Sequence, residues 1–97
     1  MQILWGSIAA SGAITSSGGG FTCKNASPGT YTLTWTTPFA SVPAVVVSQN
    51  NYGPGEWAND VADVPSATAA SATVITGSST VGPALSNRAF GFIAVGN

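Results

Sequence analysis

The sequence predicts an all-β protein, an antiparallel β-sandwich of about seven or eight short strands in a single domain over residues 1–97. Three observations predict it. Apolar and polar residues alternate with period two over several short stretches. Gly, Pro, Ser and Asn, the residues of tight turns, separate those stretches at intervals of roughly 8 to 12 residues. Apolar runs with helical spacing are nearly absent.

The clearest strand covers residues 31–36, where Tyr31, Leu33 and Trp35 alternate with Thr32, Thr34 and Thr36. Period two with β-branched residues on the second face is the pattern of a half-buried strand, so Trp35 is assigned to the core. Phe21 and Cys23 continue this pattern, with Thr22 and Lys24 facing the other way, and Cys23 is read as a buried structural thiol. Between the two stretches, Asn25-Ala26-Ser27-Pro28-Gly29 is turn chemistry, so residues 20–36 form a hairpin.

A proline-bearing link over residues 37–42 leads into Pro43-Ala44-Val45-Val46-Val47-Ser48, a continuous apolar run that fits a strand covered on both faces. Further strands are expected at residues 60–64, 70–76 and 88–95, with one or two within residues 3–14. In the last strand Phe90 and Phe92 share one face while Ile93 and Val95 share the other, and both faces read as covered. The six prolines, at 28, 38, 43, 54, 65 and 83, fit this scheme in turns, on edges or at strand starts. Periodicity leaves Trp5 and Phe39 open between core and interface.

Charge is the scarcest resource of the chain. Lys24, Glu56, Asp60, Asp63 and Arg88 are its five charged side chains, there is no histidine, and the net charge is −1. General acid/base chemistry needs titratable groups, so an enzyme is not expected, and neither is a cofactor. Lys24 and Arg88 are too few for the basic stripe that marks nucleic-acid binding. Glu56, Asp60 and Asp63 lack the loop spacing of a calcium site, so no metal is expected. Residues 1–13 lack the basic start of a signal peptide, and no stretch reaches the ~20 apolar residues of a membrane span. The single cysteine excludes an internal disulfide.

At least three strands, around Ile3 to Ile8, Val45 to Val47 and Phe90 to Val95, carry apolar residues on both faces. A two-sheet sandwich covers only one face of each strand by itself. The surplus, with so little charge to keep copies apart, points to a homo-oligomer.

Four segments carry a resemblance: Gly20-Phe21-Thr22; Gly29-Thr30-Tyr31-Thr32-Leu33-Thr34-Trp35; Pro38-Phe39-Ala40-Ser41-Val42-Pro43-Ala44-Val45-Val46-Val47; and Phe90-Gly91-Phe92-Ile93-Ala94-Val95-Gly96. In order and spacing they resemble the small β-sandwich modules of phage tail fibre tips and related bacterial proteins. The layout is also similar, more loosely, to H-type lectins and to trimeric jelly rolls of the C1q kind. The resemblance covers roughly residues 12–48 and 88–97, and its motifs are framework, not catalytic. It implies a trimer, a virion tail fibre or extracellular location, and recognition of a carbohydrate or cell-surface receptor; the alternative is a purely structural trimerisation or capping domain without a ligand.

Residues 49–60 depart from that framework and hold Asn50, Asn51, Tyr52, Glu56, Trp57, Asn59 and Asp60. Aromatic rings stack on the apolar face of a sugar, and amides and carboxylates pair with its hydroxyls, so these seven are the candidate ligand-binding residues. The same loop could equally fold its aromatics back onto the core or onto a neighbouring subunit.

Overall fold

A computed structural model describes residues 1–50, 60–78 and 84–97. These form two antiparallel sheets, with no helix among the described residues. In chain order the strands are β1 (Gln2–Ile8), β2 (Ile14–Ser17), β3 (Phe21–Ser27), β4 (Thr30–Trp35), β5 (Ala44–Gln49), β6 (Asp60–Ala67), β7 (Ser71–Ser78), the two-residue β8 (Ala84–Leu85) and β9 (Phe90–Gly96). One sheet runs β2-β1-β9-β5 and the other β3-β4-β7-β6, with β8 pairing the end of β7 beyond the reach of β4.

The predicted hairpin is present, and its turn is tighter than the sequence suggests. Strand β3 continues to Ser27 past an irregularity between Asn25 and Ser27, and Gly29 makes the turn at a φ of 70°. A positive φ costs glycine little and other residues more, which explains glycine at this place. The chain then changes sheet three times, the last of which brings β9 in between β1 and β5. Strand β9 thus takes both its partners from elements far away in sequence, Ile93 lying beside Trp5 on one side and Val46 on the other.

The core lies between the sheets. Leu4, Ile8, Phe90, Phe92 and Ala94 face Phe21, Tyr31, Leu33, Trp35, Ala72 and Val74, and Phe39 from the β4–β5 link closes one end. Edge-on ring pairs cross the interface, with centroids 4.8 Å apart for Phe21–Phe92 and 5.0 Å for Tyr31–Phe90. Such pairs add to area burial because the positive edge of one ring meets the negative face of the other. Tyr31 is buried to its hydroxyl, which donates to the carbonyl of Ala10 at 2.6 Å.

Cys23 packs against this core but is only half-buried, so the fully buried thiol expected from the alternation is not what forms: β3 is an edge strand. Burial still pushes its thiol up from 9.0 to about 11, because desolvation disfavours the thiolate. Cys23 will therefore alkylate with iodoacetamide at pH 8 at least about tenfold more slowly in the folded protein than in denaturant. A raised folded value means that the unfolded chain releases the proton first as pH rises. The thiol's contribution to stability is thus complete below about pH 9 and is lost on rising through about pH 11. Equal alkylation rates in the two states, read by mass spectrometry, would refute both statements.

Candidate interaction face

Within a single chain the outer face of the four-stranded sheet is open. The inner faces of β1, β5 and β9 are packed as predicted, but Ile3 is 59% exposed, Trp5 44%, Val46 66% and Ile93 51%. None of the described residues covers this side. Register places the open residues in cross-strand rows: Ile3 beside Val95 beside Ala44, then Trp5 beside Ile93 beside Val46, then Ser7 beside Gly91 beside Ser48 with Ser16 next to Ser7. Successive rows lie two residues apart, about 7 Å along the strands. The face therefore grades from an apolar end to a hydroxyl-rich end, with Trp5 at the boundary.

No charged residue occurs in any of its four strands. All four described charges lie in β3, in β6 or on the segment entering β9. No ionised side chain of these strands contributes to the electrostatics of the face.

Two glycines shape the surface around Trp5. A Cβ on Gly18 would stand 2.5 Å from the indole Nε1, so only a glycine lets the ring settle against the β2–β3 connection. On the other side, Gly91 leaves the start of β9 bare and opens a groove of about 380 Å³ with Trp5, Ile93, Val46 and Ser48 among its walls. The side-chain amide of Asn50 stands at its rim, 3.5 Å from where a Cβ on Gly91 would be. The backbone amide of Asn50 donates to the carbonyl of Ala89 at 3.0 Å, which extends the β5–β9 ladder and fixes that position. On the opposite sheet, Val61, Ile75 and Leu85 edge a smaller depression of about 200 Å³ with Asp63 beside it.

Of the seven residues singled out in the sequence, Asn50 stands on this face. Asn51, Tyr52, Glu56, Trp57 and Asn59 lie outside the described residues. Asp60 is placed differently from the expectation of a sugar-facing carboxylate. Its side chain is fully buried and accepts a hydrogen bond from Arg88 Nε at 2.7 Å. A buried carboxylate is stabilised by such a pairing and is not offered to a ligand at the surface. Asp63 points the other way, into solvent, and no group of three or more acidic or cysteine side chains able to hold a metal occurs among the described residues.

Trp5, Ser7, Ser48 and Gly91 were not singled out. Trp5 carried a signal, since period two puts it on the face opposite Leu4 and Ile8, but periodicity does not say which face a second sheet covers. The bareness of Gly91 was legible in Phe90-Gly91-Phe92, and its position between Trp5 and Ser48 came only with the register. No protein-family model, curated protein or solved structure gives a significant match to this chain.

Proposed function

We propose that the chain is a non-catalytic recognition module that binds a neutral glycan of a cell-surface receptor at the groove between Trp5 and Ser48. The observation that carries this reading is the groove itself: an aromatic wall, a glycine floor, the Ser48 hydroxyl in its lining and the Asn50 amide at its rim. Binding sites for small ligands are mostly apolar, with a few polar groups that set orientation. A pyranose has matching chemistry, with C–H groups on one face for the exposed indole and hydroxyls at its edge for Ser7, Ser48 and Asn50. The absence of charge on this face suits a neutral ligand and gives no attraction to an anionic one.

A single shallow site of this kind binds weakly, and a fibre-tip or lectin-like module would gain its affinity by presenting several sites together. Trp5→Ala is expected to weaken binding to the best glycan of an array at least about tenfold, with the strand circular dichroism unchanged, because Trp5 is half outside the core. Gly91→Ala, which raises the groove floor by one methyl group without backbone clash, is expected to weaken it too. Wild-type protein that binds neither neutral glycans nor cells, or a Trp5→Ala variant that binds equally well, would overturn the reading. The purely structural alternative, a fibre domain with no ligand, is favoured by the apolar end of the same face.

A further inference from the structure

We propose that the apolar end of the outer face, the row Ile3–Val95–Ala44 with Ile93 beside it, is covered by a second copy of this chain. Size, charge and shape point to that occupant. Ile3, Ile93 and Val46 are each more than half exposed in this one patch, and a typical monomer leaves no apolar patch larger than roughly 300–600 Å². Standard interfaces bury about 800 Å² on each partner, so this patch suits a weak, concentration-dependent association rather than a permanent one.

The charge argument singles out a like surface. No side chain in the four strands is ionised, so two such faces meet without desolvating a charged side chain of either sheet. A heterologous partner chosen by charge complementarity would find nothing to complement. Many sheet faces exposed to solvent carry lysine or glutamate, which would oppose stacking of copies; this one has none.

The row is also self-complementary in shape. Large Ile3 and small Ala44 stand at its two ends, with Val95 on the central strand between them. A twofold axis running along β9 superimposes β1 of one copy on β5 of the other. Ile3 then lies over the partner's Ala44, while Val95 meets its own symmetry mate. Two sheets with the same twist pack in this way about 10 Å apart. The inference competes with the glycan reading for one surface: Ile93 and Val46 belong to this patch and also line the groove, so two faces stacked along β9 cover the groove and exclude a ligand from it.

Sedimentation velocity of the wild-type chain from about 10 μM to about 1 mM is expected to show mass rising above the 9.6 kDa of one chain. Ile3→Lys and Ala44→Lys, both at exposed strand positions, are each expected to return the protein to 9.6 kDa over the same range with unchanged strand content. A single 9.6 kDa species at every concentration, or an oligomer that survives both substitutions, would overturn the proposal. Glycan binding measured on the same variants separates the two ideas: return to 9.6 kDa supports this proposal whether or not the variants bind glycan, and glycan binding by the monomeric variants leaves the groove reading standing.

Discussion

Arg88→Ala is expected to destabilise the fold by about 3–5 kcal/mol, the cost of leaving a buried carboxylate without its cation. The Asp60 side chain is 0% exposed and that of Arg88 21%, with Nε 2.7 Å from the carboxylate oxygen Oδ2. This contact is shielded enough from water that the small values typical of surface pairs do not apply. The pair also has a mechanical role. Asp60 opens β6 in one sheet, and Arg88 stands two residues before β9 enters the other.

A set of neutral hydrogen bonds holds the same segment. The Arg88 backbone amide donates to Thr76 Oγ1 at 3.2 Å, and that hydroxyl donates to the Ser86 carbonyl at 2.7 Å. Asn87 Oδ1 accepts from the Gly29 amide at 2.7 Å. Residues 86–88 therefore tie the β3–β4 turn to β7 just before the chain crosses between sheets. The double variant Asp60→Ala/Arg88→Ala is expected to be less destabilised than Arg88→Ala alone, because it removes the stranded carboxylate with its partner. Urea denaturation measures both. A cost below about 1 kcal/mol for Arg88→Ala, or additive costs in the double variant, would show that the carboxylate finds other compensation.

This pair also shows where sequence reading ran short. Asp60 was assigned to a ligand site because it ends a stretch rich in asparagine and aromatic residues, and composition says nothing of a partner 28 residues away. What local alternation governs was legible: Tyr31, Leu33 and Trp35 point inward, Phe90 and Phe92 share the core face, and Gly29 makes the turn. What long-range register governs was not. The rows that put Trp5, Ile93 and Val46 side by side need β9 to run between β1 and β5, and no local pattern encodes a strand order. Gly91 and Asn50 acquire their place at the groove from that same order. The surplus of apolar residues is legible strand by strand, around Ile3 to Ile8, Val45 to Val47 and Phe90 to Val95, whereas the pairing that gathers these three strands into one sheet is not.

Phe92→Ala is expected to cost about 3–5 kcal/mol, and the reason lies in how completely its surroundings are filled. Its ring meets Phe21 edge-on at 4.8 Å between centroids and Trp35 at 6.0 Å, so truncation removes contacts to both and leaves a cavity between the sheets. Opposite it in register stands Gly6, the inward position of β1 between Leu4 and Ile8. A Cβ there would penetrate Phe21 Cζ and stand 3.0 Å from Phe92 Cε1, so the two rings occupy the volume that a side chain at position 6 would need. Gly6→Ala is accordingly expected to cost about 1–3 kcal/mol by overpacking. In the Phe92→Ala background the same substitution is expected to cost less, because Phe21 can then move into the vacated space, and the two changes will be coupled. Additive costs in the cycle would mean that Phe21 relaxes elsewhere and that the absence of a side chain at position 6 does not serve the ring pair.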